Sequence, residues 1–573
     1  MKILYRARRS KRSMPDPEFN GDFLELLYDN WNDFGFQTYF ETHCRINGKV
    51  IELGAIRLLI DHEDQTFRYL NRMLQNGWSG EFPIPDTDYV SVPSEISFYE
   101  QISALLGEQD AISVAQRLRD ASYFITTCKD PKAIELSETQ GFQKSLLRER
   151  GSIKSYLDGW KVLAGQTLSV MDLAFQFYDV FGDVSKINLK FQSSIPLPHD
   201  INVLIGPNGV GKSQLLKQIV RDWLEDEIHE DPDEDQNIGF VKKPNLSQII
   251  VVSYSPFEKF PVDLEGRKKQ DLDVYRYFGF RERSTRNSHN KRGKIIFSKQ
   301  APNINTANSL VSCLSDDKRY SSVPGWPQKL KTAEDVLRTA FEFDFAAVSV
   351  SSLTSPSTFY EEDDDDILTI EDHLVKPNVR YIPVSSNTIE KLNDKALARK
   401  LLAEEGVTFF KGRTPIELSS GQRLFTYIVL NVLGAIRRDS LILIDEPELF
   451  LHPNLEIQFI DMLKEILQHF NSKALLATHS VVTVREVPAA CVHVFEKTRE
   501  GLRIKQPPFQ TFGGDLQRIT SYVFGDRSVS KPFQRWIAEQ LSQRPPEVLI
   551  QMLGDDINEE LIIQIKALGR ELW

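Results

Sequence analysis

The chain has 573 residues, a formal net charge of −12 and 41% hydrophobic residues, a length that allows about three domains with substantial cores. Its cysteines, Cys44, Cys128, Cys313 and Cys491, are scattered, which excludes a disulfide framework and a cysteine-based zinc site. The acidic balance argues against a uniform nucleic-acid coat, though local basic patches stay open. No apolar run reaches membrane length, and the basic start Arg6, Arg8, Arg9, Lys11, Arg12 lacks an apolar stretch behind it, so a cytoplasmic location without a membrane partner is expected.

Residues 1–155 read as a separate accessory module. Phe36, Thr38, Phe40, Thr42 and Ile46 alternate with polar positions up to Asn47-Gly48, and Val50 to Ile60 continues in strand-like composition; Asn-Gly between two such runs is a hairpin signal. Two helical patterns follow, Ile96, Tyr99, Ile102, Leu105 and then Ile112, Ala115, Leu118, Ala121. An α+β module without a catalytic constellation suits recognition or docking.

The chemistry begins at Ile201-Asn202-Val203-Leu204-Ile205, an apolar strand that runs into Gly206-Pro207-Asn208-Gly209-Val210-Gly211-Lys212-Ser213 and then into a helical pattern. A strand feeding a glycine-rich turn and a helix start aims backbone N–H groups at the β- and γ-phosphates of a nucleotide. Lys212 supplies a cation, and the Ser213 hydroxyl is placed to ligand Mg²⁺. Acidic runs at Glu225 to Asp235 and Glu361 to Asp366 then mark exposed loops. Between them Arg267, Lys268, Lys269, Arg276, Arg281, Arg283, Arg286, Lys291, Arg292 and Lys294 are interleaved with Tyr275, Tyr277, Phe278 and Phe280. This mixture suits phosphate backbones and exposed bases and suits equally a solvated surface over aromatic core residues. The His289-Asn290 pair has no second metal-binding histidine behind it, and Asn378 to Val384 reads as a strand returning the chain to the core.

Two further segments complete the phosphate chemistry. Leu418-Ser419-Ser420-Gly421-Gln422-Arg423 precedes Phe425, Ile428, Val432 and Ile436 at helical spacing. Ser440 to Ile444 is an uncharged strand ending in Asp445-Glu446-Pro447-Glu448. Asp445 at the strand end would hold Mg²⁺ through a water, and Glu446 would polarise the attacking water. A helix with Ile460, Leu463, Ile466, Leu467 and Phe470 on one side leads to the strand Ala474 to Thr478, which ends at His479-Ser480.

These motifs, in this order, resemble those of ABC-type ATPases. The segments Ile444 to Pro453 and Ala477 to Ser480 look like the soluble RecF, SMC and OLD branch, and most of all like the stand-alone ATPases of anti-phage systems such as Septu. The resemblance covers about half the chain, 167–224 and 249–494. It implies an α/β P-loop ATPase head over 156–515, interrupted by a helical lid insertion around 226–405, with the N-terminal α+β domain before it and a helical segment, 516–573, behind. It implies ATP and Mg²⁺ as ligands, with Lys212, Glu446 and His479 catalytic, His479 as the switch histidine at the γ-phosphate, and Ser213 and Asp445 at the metal. Residues 206–213 would cradle the phosphates, and the signature residues Ser419, Gly421 and Gln422 would act across a homodimer or higher oligomer with ATP sandwiched between heads. A separately encoded nuclease or effector is the implied partner, with DNA as a further one. The sequence departs from the transporter pattern at Ser420, where transporters carry Gly. It departs again at Tyr254-Ser255-Pro256-Phe257, which stands where a metal-contacting glutamine would, and in the gap of about two hundred residues between Ser213 and Leu418. The C-terminal Asp555-Asp556 and Glu559-Glu560 do not supply the isolated Glu and D-x-D of an OLD-type nuclease domain.

Overall fold

The computed structural model describes residues 1–6, 21–28, 35–166, 172–224, 238–264, 274–284, 293–321, 323, 325–361, 370–371, 378–524 and 532–572. They form two compact units, Met1–Phe512 and Gly513–Trp573.

The first unit opens with a five-stranded sheet, β1 (Lys2–Arg6), β2 (Phe23–Tyr28), β3 (Tyr39–Ile46), β4 (Lys49–Ile60) and β5 (Tyr89–Pro93), in sequential order. β1 and β2 are parallel and the rest antiparallel. Asn47 and Gly48 both have positive φ, 50° and 79°, the geometry that two-residue hairpins demand because it matches strand twist. A bulge between Thr42 and His43 faces Gly54, whose φ is 97°. The core of this part gathers Leu24, Phe40, Leu58 and Tyr89 from the sheet with Ile102, Val114 and Leu118 from the helices behind it.

The central element is a seven-stranded sheet. Its strands are β6 (Ile201–Ile205), β7 (Ile249–Ser253), β8 (Tyr275–Gly279), β9 (Leu441–Asp445), β10 (Lys473–Thr478), β11 (Val492–Thr498) and β12 (Gly501–Lys505). The spatial order is β8-β7-β9-β10-β6-β11-β12, parallel throughout except for the terminal β12. β6, β7, β9 and β10 are buried along their whole length, as expected of near-continuous apolar runs covered on both faces. Helix α2 (Lys212–Leu224) packs Leu215, Leu216, Ile219, Val220 and Trp223 into the core cluster beside it. A three-stranded sheet of Val184–Leu189, Leu173–Tyr178 and Gly239–Phe240 contributes Phe175, Phe177 and Ile187 to that cluster.

The long stretch between α2 and β9 holds helices α3 (Ala301–Arg319) and α4 (Lys329–Ala340), but strands as well. β8 joins the edge of the central sheet, Arg281–Arg283 pairs with Ile295–Phe297, and a separate five-stranded antiparallel sheet is built around Phe345–Ser351. Val379–Val384, expected to return to the core, pairs instead with Phe345–Ser351 in that separate sheet. Its composition identified a strand but not its neighbour, because partner choice depends on residues far away in sequence. Helices α5 (Ser420–Ala435) and α6 (Pro453–His469) flank β9 in the chain.

The N-terminal part is joined by ion pairs to the start of β9 and to α3. Lys154 on helix α1 (Arg150–Leu163) lies 2.8 Å from Asp439, Arg438 2.9 Å from Glu100, and Arg319 3.5 Å from Glu95. A cavity of about 800 Å³ lies at this junction, lined by acids including Glu41, Glu52 and Glu95 and by bases including Arg319, Arg437 and Arg438.

The second unit consists of helices Leu516–Phe524, Pro532–Leu541, Pro546–Leu553 and Glu559–Leu572, with Ile537, Leu541, Leu549 and Ile565 buried together. Among the described residues no helix is long and apolar enough to cross a membrane.

Candidate nucleotide site

Parallel pairing in register brings the ends of four core strands to one edge. Ser253 is level with Asp445, Asp445 with Ala477, and Thr478 with Ile205. The turn after β6, the acidic end of β9 and the histidine after β10 therefore meet, since β10 lies between the other two. Crevices at the carboxyl ends of parallel strands are where such sheets bind ligands.

The glycine turn is shaped by its neighbours. A Cβ on Gly206 would collide with the Phe495 carbonyl on β11, so only glycine lets the turn pass that close. Gly209 and Gly211 have φ of 76° and 96°, which glycine alone adopts freely. Pro207, Asn208 and Gly209 are exposed, while Val210 anchors the turn in the core.

Lys212 is buried at the start of α2. Its Nζ donates to the carbonyls of Gly206 (2.9 Å) and Pro207 (3.1 Å) and lies 3.0 Å from His479 Nε2. Burial lowers its pKa to about 8 against the opposing pull of Glu446, Asp445 and Glu448. The Ser213 hydroxyl donates to Asp445 Oδ1 at 2.7 Å. Burial pushes the Asp445 carboxyl up to about 7, with the Ser213 hydrogen bond opposing and Glu446 reinforcing. The Ser213 and Asp445 oxygens are hard donors at one point. They fit Mg²⁺, which takes one or two protein oxygens and completes its shell with water and phosphate.

Glu446 adopts a left-handed backbone, φ 51° and ψ 55°, an uncommon state for a non-glycine residue. Its N–H donates to the Ala477 carbonyl at 2.8 Å, and its Oε1 lies 4.0 Å from His479 Nε2. Burial lowers the His479 pKa, and the Lys212 charge lowers it further.

The signature residues stand apart. Ser419 caps α5 in a reciprocal capping box: its hydroxyl accepts from Gln422 N at 3.3 Å, and Gln422 Oε1 accepts from Ser419 N at 3.0 Å. Gln422 Nε2 donates to the Ala340 carbonyl. Ser419 is exposed and Gly421 half-buried; neither Ser419 nor Gln422 bonds to the chain's own phosphate turn.

Several contributors were not anticipated from sequence. The Glu448 carboxylate accepts the His479 backbone N–H at 2.5 Å and so holds the histidine turn. Val180, on the tight connection between Leu173–Tyr178 and Val184–Leu189, lies close over Gly211, and Phe181 beside it is 42% exposed under the Lys497 ammonium. The signal was an exposed Val-Phe pair between Asp179 and Gly182 in a hairpin turn. Tyr254, at the place of the missing glutamine, is buried and accepts from Asn431 Nδ2 of α5 at 3.0 Å. It therefore links the strand edge to the signature helix.

The basic and aromatic segment resolves in part. Tyr275, Tyr277 and Phe278 are core residues. Arg281 holds Glu258 through two contacts of 2.5 and 2.7 Å, and Arg283 holds Asp263. Arg267, Lys268, Lys269, Arg286, His289, Asn290, Lys291 and Arg292 lie outside the described residues, as do 7–12 of the basic start and most of both acidic runs.

A family model of the AAA ATPase domain matches residues 227–484, just under half the chain, taking in the signature segment, Asp445, Glu446 and His479. The match supports an ATPase domain and begins after the glycine turn at 206–213. The chain is 23% identical over 522 residues to Protein ea59 of Escherichia phage lambda, a match covering 89% of this chain and 87% of that protein. Among solved structures, the SMC head domain from Thermotoga maritima aligns at 11% identity and a TM-score of 0.26, covering 60% of this chain and all of that one. An SMC head bound to the C-terminal winged-helix domain of ScpA aligns at 11% identity and 0.27, covering 59% and 98%.

Proposed function

We propose that the chain is an ABC-type ATPase that binds MgATP at residues 206–213, closes into a dimer around it, hydrolyses it, and passes the change of state to a partner effector. The observation that carries this reading is the convergence of Lys212, Ser213, Asp445, Glu446 and His479 at one sheet edge.

Phosphoryl transfer needs positioned charge more than covalent chemistry. The turn's backbone N–H groups and the helix start hold the phosphates, and Lys212 exchanges its carbonyl partners for phosphate oxygens. Ser213 and Asp445 are the oxygens that would hold Mg²⁺, which supplies neutralising charge at the phosphates. Glu446 accepts a proton from the attacking water, with its carboxylate fixed by the left-handed backbone. His479, kept neutral by burial and by Lys212, donates a hydrogen bond to the γ-phosphate from a turn that Glu448 restrains. Ser419, Gly421 and Gln422 sit at an accessible helix start and complete the site of a second copy, an arrangement supported by their bonding away from their own phosphate turn. The partner is a separately encoded nuclease or effector acting in anti-phage defence, as the Septu-like motif set implies.

Binding of a fluorescent ATP analogue should be lost in Lys212→Ala; unchanged affinity there would refute the P-loop assignment. Light scattering of Glu446→Gln with MgATP should show a dimer, and a monomer at every concentration would rule out the sandwich. Steady-state hydrolysis with and without duplex DNA separates the effector reading from a DNA clamp, for which stimulation lost at high salt is the mark.

A further inference from the structure

Helix α2 carries a stripe of cations beyond the phosphate turn. Ser213, Lys217 and Arg221 follow one another at four-residue steps, which places them on one face of the helix. Across from them the segment after β7 contributes Phe257 and Lys259, and all five line one cavity of about 570 Å³ that Asp445 also borders.

Three features distinguish this cavity from an ordinary solvated surface. None of Lys217, Arg221 and Lys259 forms an ion pair with a carboxylate among the described residues. Glu258, which also lines the cavity, is already engaged by Arg281 and by the Tyr277 hydroxyl at 2.5 Å. Burial, and then the charges of Arg221, Lys259 and Arg281, lower the Lys217 pKa, so like charges converge on a half-buried side chain. Like charges four residues apart on a helix repel, and an anion bound between them would relieve the repulsion.

At 1.5 Å of rise per residue, Arg221 lies about 12 Å along the helix from Ser213. We infer that this cavity is a second oxyanion site, adjoining the nucleotide site through Ser213 and Asp445, that takes a phosphate group. Its source is either the inorganic phosphate leaving the nucleotide site or a phosphodiester of a nucleic-acid strand. Phe257, 88% exposed beside the cations, offers a base a stacking face. The inference rests on the ATPase reading only for the first of these sources.

The test is ³¹P line broadening of inorganic phosphate by the nucleotide-free full chain. Broadening should persist in Lys212→Ala, in which the phosphate turn is silenced. Phosphate affinity should fall about tenfold in Lys217→Gln/Arg221→Gln/Lys259→Gln, with ATP binding of that variant unchanged as the control for folding. The single variants Lys217→Gln and Lys259→Gln repeat the measurement with less perturbation. Broadening lost in Lys212→Ala and retained in the triple and single variants overturns the inference, because the phosphate then sits on the turn alone. Displacement of phosphate by a short oligothymidylate, weakened by Phe257→Ala, assigns the site to a strand. No displacement, together with product inhibition by phosphate that the triple variant loses, assigns it to the leaving phosphate. Because this readout uses no ATP, a wild-type chain that fails to bind ATP refutes the ATPase reading and leaves the anion site standing.

Discussion

The nucleotide edge and the N-terminal junction sit at opposite ends of the same strand and are built on different principles. At the carboxyl end of β9, Asp445 and Glu446 meet Lys212, Ser213 and His479, all delivered by turns that directly continue core strands. At its amino end, Arg437, Arg438 and Asp439 meet Asp316, Glu100 and Lys154, from helices scattered through the chain. Charge at the first end is left available for a ligand; charge at the second is consumed by protein. Burial pulls the Lys212 ammonium down to about 8, whereas Lys154, also opposed by burial, is held above the usual lysine range by Asp439 and Asp158. A buried charge with no fixed carboxylate partner is free to meet phosphate, and one clamped by two carboxylates holds domains together.

The contrast is broken most severely by removing one member of the clamp. Lys154→Met leaves Asp439 buried without its cation, while Asp158 keeps Lys161 at 2.7 Å; the change should cost roughly 3–5 kcal/mol, read by denaturant unfolding, and the double change with Asp439→Leu should recover much of that loss. ATP affinity of Lys154→Met under conditions where it remains folded should match the parent, and a parallel loss would show that the two ends of β9 are coupled.

At the other end, Glu446→Gln should leave unfolding nearly unchanged and lower the hydrolysis rate by roughly 10²–10³-fold. Turnover at the parental rate would remove Glu446 from the water-positioning role.

A smaller effect is expected where the Gly54 backbone packs against the Arg319 side chain. A side chain on Gly54, at φ 97°, would meet the Arg319 guanidinium, so Gly54→Ala should destabilise by about 1–3 kcal/mol. An unaltered melting temperature would mean that the bulge relaxes without strain.

A further effect is a pH dependence to which the N-terminal part contributes. Burial pushes the Asp120 carboxyl up to about 7, against the hydrogen bonds of Tyr99, Tyr123 and Ser122. The folded state therefore holds its proton more tightly than the unfolded chain. The stability Asp120 confers is complete below the ordinary aspartate value near 4 and is lost as pH rises through about 7. Asp120→Asn should flatten the stability profile in that window. A slope identical to the parent's would place the titration elsewhere.

How much of this was legible follows from how local each device is. The strand before Gly206, the glycine turn and the helix after it are contiguous, and sterics fix such a turn from adjacent residues alone. Asn47-Gly48 likewise announced a two-residue hairpin. The strand Val379–Val384 was readable as a strand and unreadable as to partner. Of the cations interleaved with aromatics, Arg281 and Arg283 turned out to be spent on Glu258 and Asp263, which no spacing rule reveals.

By itself, then, the sequence determined the glycine turn after β6, the acidic end of β9, the capped start of α5 and the alternation of apolar strands with helices, because each depends on contacts within a few residues. Only the tertiary structure decided that β10 lies between β6 and β9, so that His479 reaches Lys212, and that Glu448 restrains the histidine turn. It alone placed Lys217, Arg221 and Lys259 around one cavity. Strand order and the pairing of charges are settled by which distant surfaces bury one another, and that is a property of the whole packed chain.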